Sequence, residues 1–263
     1  MVRAALRHAG GIRIDHILGL FRLWWVPAGL GPRMGTYIRY DHEAMVGILA
    51  LEAYRAGALV VGEDLGTVEP WVRAYLRERG IIGTSVLWFE NGEDGNPLAP
   101  EQWREYAMSS VTTHDLPPTT GYLAGDHVEV RSELGLLTES VEYERAAAAR
   151  QTAAWIAILR ARGVLAGDNP SEEEIVLAMH RMLTRTPSKV LNVTLTGAVG
   201  DRRTQNLPGT TNEYPNWRVP LSHPDGSPMW LEEVFTDERA ARLSQVMNEK
   251  SPSCVTGERL ARA

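Results

Sequence analysis

One cysteine, three phenylalanines and no dense basic block stand out as shortages in these 263 residues. With Cys254 alone, no disulfide can close within the chain and no cysteine zinc site can be built. Lys and Arg number 27 against 33 Asp and Glu, a net charge of −6, which argues against general affinity for a phosphate backbone and so against a nucleic-acid partner. No apolar run approaches the length of a membrane span, and the first ten residues lack the apolar core of a signal peptide. No two histidines share the i, i+4 spacing of a zinc helix, so neither a metal nor a cofactor is expected. A cytoplasmic protein, with no membrane partner, is the expectation these shortages leave.

Tryptophan is what the chain has in place of phenylalanine: eight against three. Each offers a broad apolar face and one N–H donor, suited to a sugar ring or to a core position. Hydrophobic residues make up 44% and charged residues 23%, an ordinary globular balance.

Patterning predicts strands over 11–18, 58–61, 84–89, 109–113 and 189–195. It predicts helices over 41–57, 68–79, 101–108, 140–163, 171–185 and 237–249. Asp41 is a predicted N-cap, Gly57 a C-cap, and Ser171 with Glu174 a capping box. Residues 21–40 and 197–220 read as long loops. Strand alternating with helix means a parallel sheet with helical crossovers, an α/β fold. Five strands cannot close an eight-stranded barrel, so the expectation is the C-terminal part, about five βα units, of a (β/α)8 TIM-type barrel. Residues 1–250 would form this partial catalytic barrel, with a helical insertion over 124–187, and residues 251–263 a flexible tail. Unpaired outer strands would invite self-association or pairing with a missing N-terminal half.

Three of the strand segments run into a carboxylate: Gly11-Ile-Arg-Ile-Asp15-His16, Val60-Val-Gly-Glu63-Asp64 and Val111-Thr-Thr-His114-Asp115. An apolar run that ends in a charge spends burial to position it, at the face where β/α barrels carry their active sites. Cleaving a glycosidic bond needs one carboxylate as nucleophile and a second as proton donor. Arg13 shares a strand face with Asp15 and would help keep it ionised; a purely structural ion pair is the alternative. Glu63, behind Val60 and Val61, has the burial that raises a proton donor's pKa. Alternation turns Asp64 to the other side, toward a structural role.

Read together, Arg13-Ile-Asp15-His16, Gly62-Glu63-Asp64-Leu-Gly66, Thr113-His114-Asp115, Asn206-Leu-Pro208-Gly209-Thr210 and Glu213-Tyr-Pro-Asn-Trp217-Arg218 resemble the amylomaltases, the 4-α-glucanotransferases of the α-amylase superfamily. The resemblance covers residues 11–218. It implies Asp15 as nucleophile, Glu63 as acid/base and Asp115 as the third carboxylate, with His114 hydrogen-bonding the sugar. Maltooligosaccharides and other α-1,4-glucans would be the substrates, transferred through a covalent glycosyl intermediate. The candidate substrate-binding residues are Arg13, His114, Trp24, Gly35, Tyr37, Asn206, Pro208 and Gly209, with turn chemistry as the alternative for the last three. Two further readings stand beside this one: an α-1,4-glucan hydrolase of the same superfamily, and a barrel fragment inactive without its N-terminal half.

Overall fold

A computed structural model describes residues 1–93 and 95–249; the tail expected over 251–263, with Cys254, lies outside them. The strands are β1 (Gly11–Ile14), β2 (Arg22–Trp25), β3 (Thr36–Arg39), β4 (Leu59–Gly62), β5 (Ile81–Val86), β6 (Ala107–Ser110) and β7 (Val190–Leu191). Five of them form one sheet in the order β1-β4-β5-β6-β7, while β2 and β3 pair as a separate antiparallel hairpin. β1 runs parallel to β4, and β4 parallel to β5. Contacts divide the chain into two compact units. The first holds Met1–Ser85, Arg104–Met108 and Ser188–Val190; the second holds Val86–Trp103, Ser109–Pro187 and the residues from Leu191 on.

In the first unit the sheet grows from short apolar runs whose connections are helical. The helix His42–Ala56 starts at Asp41, whose carboxylate accepts the Ala44 N–H, and stops at Gly57 with φ of 60°. Pro70 opens the next helix, Pro70–Glu78. Val46, Leu49 and Ala53 from the first helix, Val72 and Leu76 from the second, and Val60 and Ile81 from the sheet close one core with Ile17 and Phe21. Ile17 is fully buried, and its Cδ1 lies 2.5 Å from where a Cβ on Gly62 would stand. Only glycine lets the chain after β1 pack this tightly on β4.

The second unit is mostly helical. Ser140 caps Val141–Ala161, and Ser171 with Glu174 forms the capping box of Glu172–Leu183. Asp237 accepts the Ala240 N–H at the start of Glu238–Asn248, which packs on Glu172–Leu183. Trp155, Leu159, Met179, Met182 and Leu183 are among its fully buried side chains, and Trp88 stands edge-on to Trp155.

Several elements depart from the sequence reading. β1 stops at Ile14 rather than near Leu18, because His16 adopts a left-handed conformation and a 3-10 turn follows over Ile17–Leu20. Residues 21–40 hold the β2–β3 hairpin, not a continuous loop. The helix expected over 101–108 is a 3-10 turn at Pro100–Gln102 followed by a strand; Gly83 and Lys189 donate their N–H groups to the carbonyls of Tyr106 and Glu105, so the backbone there is already committed to the sheet. The strand expected over 84–89 is Ile81–Val86. β7 keeps only two of its seven expected residues, since Thr194 caps a helix over Leu195–Val199. Five of the eight tryptophans (24, 25, 71, 217 and 230) are exposed, fewer being in the core than their apolar size suggests.

One buried titratable group should make the second unit acid-sensitive. His180 is enclosed within Glu172–Leu183 and shares a 2.7 Å hydrogen bond with the Val176 carbonyl. Burial pushes its ring from the ordinary 6.5 down to about 4. Between those values the unfolded chain binds a proton that the folded chain does not. Its contribution is therefore full above pH 6.5 and falls as pH drops toward 4, a loss of roughly 3 kcal/mol. Urea midpoints measured at pH 7 and pH 4 should show that fall, and His180→Leu should show a smaller one. An undiminished fall in the variant would move the cause elsewhere.

Candidate active site

The carboxylates that follow β1 and β4 meet in the first unit. Parallel pairing sets Ile14 beside Gly62, so the next residues, Asp15 and Glu63, leave the sheet as neighbours. The Glu63 N–H donates to the Ile14 carbonyl, and the Ile17 N–H to the Glu63 carbonyl, which ties the two exits together. Carboxylate oxygens of Asp15 and Glu63 and a ring nitrogen of His16 lie within 4.8 Å of one another. Arg13 Nη1 donates to Asp15 Oδ1 at 2.6 Å, as strand alternation requires. Asp15 is exposed, whereas Glu63 is buried.

Glu63 is held by donors on both oxygens. The Leu65 N–H reaches Oε1 at 2.7 Å, and the His16 N–H reaches Oε2 at 2.9 Å. The apolar run Val60–Val61 buries the residue, but backbone N–H groups meet its carboxylate. A cation shared by Asp15, His16 and Glu63 would compete with Arg13 for Asp15 and with these N–H groups for Glu63.

Asp64 faces the opposite way. It is 1% exposed, accepts the Thr84 N–H at 2.8 Å, and pairs with Arg104 through both oxygens. Arg73 approaches to 3.4 Å. The adjacent acids thus have separate fates: Glu63 points to Asp15, while Asp64 cross-links β4, β5 and the segment before β6.

The hairpin after β1 carries Trp24, Gly35 and Tyr37. Its register sets Trp24 opposite Tyr37, and their rings meet edge to face at 5.0 Å. The Arg22 guanidinium lies over the Tyr37 ring at 4.4 Å. Trp24 Nε1 donates to the Pro32 carbonyl. A Cβ on Gly35 would stand 2.4 Å from Trp24 Nε1, so the indole packs directly against the glycine. Gly35 therefore shapes the aromatic surface. Trp24 and Tyr37 stay about half exposed.

The second unit gathers His114, Asp115 and Asn206. Asn206 Nδ2 donates to Asp115 Oδ1 at 2.6 Å, and its N–H donates to the His114 carbonyl. His114 Nε2 lies 3.2 Å from Asp115 Oδ2. Trp217, an exposed residue with φ of 61°, sets its ring 5.1 Å from that of His114. The loop beneath is internally braced: Asn216 Oδ1 accepts the Leu207 N–H, and its Nδ2 donates to Thr210 Oγ1. Asp201, fully buried, accepts from Arg203 and the Ser222 N–H at the loop's base. Pro208 and Gly209 sit exposed at the turn, Gly209 with φ of 90°. His16 and Trp217, both at left-handed positions, stand beside the candidate residues; for His16, following its carboxylate, sugar contact and a structural place were equal readings of the sequence. Only their places in the Arg-x-Asp-His and Tyr-Pro-Asn-Trp segments pointed to them.

A family model described as 4-alpha-glucanotransferase matches residues 1–224. The chain belongs to that family. It is 64% identical to the 4-alpha-glucanotransferase of Mycobacterium tuberculosis (strain ATCC 25618 / H37Rv), over 96% of this chain and 36% of that protein. It is 34% identical to the 4-alpha-glucanotransferase of Haemophilus influenzae, over 85% of this chain and 33% of that protein. The crystal structure of amylomaltase from Corynebacterium glutamicum superposes with a TM-score of 0.89 at 44% identity, covering 94% of this chain and 36% of the other. The chain thus spans about a third of the length of these relatives, and family membership is expressed within that span.

Proposed function

We propose that the protein carrying this chain is a retaining 4-α-glucanotransferase that moves α-1,4-glucan segments between maltooligosaccharides. The observation that supports it best is the Asp15–Glu63 pair, with oxygens within 4.8 Å. Retaining glycosidases hold their two carboxyl groups about 5–5.5 Å apart, and inverting ones about 6.5–9.5 Å. Retention suits transfer, because an α-linkage is broken and an α-linkage is made.

Asp15 attacks the anomeric carbon as Glu63 gives a proton to the departing glycosidic oxygen. A covalent glycosyl-enzyme and a shortened glucan result. Glu63 then removes the proton from an acceptor 4-hydroxyl, whose oxygen displaces Asp15. Arg13 supports the charge of Asp15 through their 2.6 Å hydrogen bond. Asp115 and His114, braced by Asn206, bind hydroxyls of a glucosyl unit. Trp24 and Tyr37 present stacking surfaces on which Gly35 sets the indole, and Pro208 and Gly209 contribute loop contacts to glucan. The proposal includes the architecture: residues 1–250 as the last five βα units of a (β/α)8 barrel, with 124–187 inserted, working in the cytoplasm with the remainder of the enzyme.

Incubating the whole protein with maltotriose should release glucose and give chains longer than the substrate. Products that are only shorter would make it a hydrolase. No turnover by residues 1–263 alone, restored on adding the remainder of the enzyme, would place the activity in the joined halves.

A further inference from the structure

His16 lies where strand geometry should not put it. Consecutive residues of an extended strand point to opposite faces. Glu63 and Asp64 obey this on leaving β4, one reaching toward Asp15 and the other toward Arg104. Asp15 and His16 do not. His16 takes φ of 46° and ψ of 53°, and its ring returns to the side of Asp15, with Nε2 3.7 Å from Asp15 Oδ2. Nδ1 stands 3.3 Å from Glu63 Oε2, the same oxygen that accepts the His16 N–H at 2.9 Å. The hydrogen bond to that oxygen comes from the main chain, and the ring nitrogen faces it.

We propose that His16 is a positioning residue for both reacting carboxylates: its main-chain N–H holds Glu63 from one side while its ring lies between the two, Nδ1 facing Glu63 and Nε2 facing Asp15. The inference rests on the assignment of Asp15 and Glu63 as nucleophile and proton donor. The turn by itself does not require histidine. Glycine or asparagine could also enter the left-handed region and start the turn Ile17–Leu20. What histidine adds is a ring with two polar atoms, each directed at a different carboxylate. The ring is 83% exposed, so the contact is made at the open side of the pair and is not forced by packing. Arg13 is the cation beside the pair, through Asp15. His16 thereby holds Oε2 of Glu63 beside Asp15, as Leu65 holds Oε1, and leaves the approach to Asp15 open.

The test needs no turnover to be decisive. In 13C-labelled residues 1–263, the Glu63 carboxyl resonance is assigned by its loss in Glu63→Gln, and the His16 ring resonances by their loss in His16→Gly. Across a pH series the Glu63 resonance should move in step with the His16 ring, and that step should vanish in His16→Gly. This variant keeps the left-handed backbone and removes only the ring. A Glu63 resonance indifferent to His16 overturns the proposal. In the whole protein, His16→Gly should lower kcat about 100-fold with KM little changed, as expected of a misplaced catalytic group, and free imidazole should restore part of it. Unchanged kcat would equally overturn it. If the unmodified protein makes nothing longer than maltotriose, the transferase reading fails, yet the resonance coupling still decides whether His16 holds Glu63.

Discussion

Asp15→Asn is expected to lower transfer from maltotriose by on the order of 10⁴-fold or more, as loss of a nucleophile does elsewhere. The amide keeps the size of the carboxylate and the Arg13 Nη1 contact at its oxygen, so the fold around it should hold. It cannot form the glycosyl ester. Asp15 is exposed and lies past the end of β1, and no core packing depends on its charge. Circular dichroism and a thermal melt should therefore match the unmodified protein. The glycosyl-enzyme trapped with a slow fluorinated donor should appear in the mass spectrum of the unmodified protein and be missing in the variant. Near-normal transfer by Asp15→Asn would remove the nucleophile assignment.

Glu63→Gln should cost about 10²- to 10⁴-fold with a natural glucan, the usual contribution of acid–base catalysis. Its pattern should differ from that of Asp15→Asn. A donor with a good leaving group, such as an α-maltosyl fluoride, needs no proton to depart. With it the first step should return and a glycosyl-enzyme should accumulate, because no base activates the acceptor. The amide also disturbs the bonding around the residue, since one of the two oxygens that take the His16 and Leu65 N–H groups becomes a donor. A modest loss of stability should accompany the kinetic effect, as Glu63 is buried. If the activated donor recovers nothing in Glu63→Gln while the fold is intact, Glu63 is not the proton donor.

The two variants separate the roles because the two carboxylates are held differently. Asp15 has a guanidinium beside it and solvent around it; Glu63 has backbone donors on both oxygens. That difference was only half visible before the fold was known. Alternation along β1 placed Arg13 with Asp15. The apolar pair Val60–Val61 announced that Glu63 would be buried. The donors that meet it come from His16 and Leu65, and the first of them reaches Glu63 only because the chain turns left-handed after Asp15.

The amino-acid sequence by itself determined the features that depend on near neighbours. Asp41 and Ser171 with Glu174 each satisfy a helix N-terminus within a few residues, and both were legible because a cap is a local bond. The short apolar runs ending in Asp15 and Glu63, and the family to which the chain belongs, were legible for a similar reason: both are written in contiguous segments. The tertiary structure decided what depends on distant partners. Arg104 and Asp64 are 40 residues apart, and their pairing sits in a segment that local propensity reads as helix. Asn206 reaches Asp115 across 91 residues, and β3 makes a strand of Arg22–Trp25 only once it lies opposite. Propensity is worth tenths of a kcal/mol per residue, whereas an unpaired buried charge or backbone group costs several times that. The long-range partner therefore wins wherever the two disagree, and no window along the chain contains it.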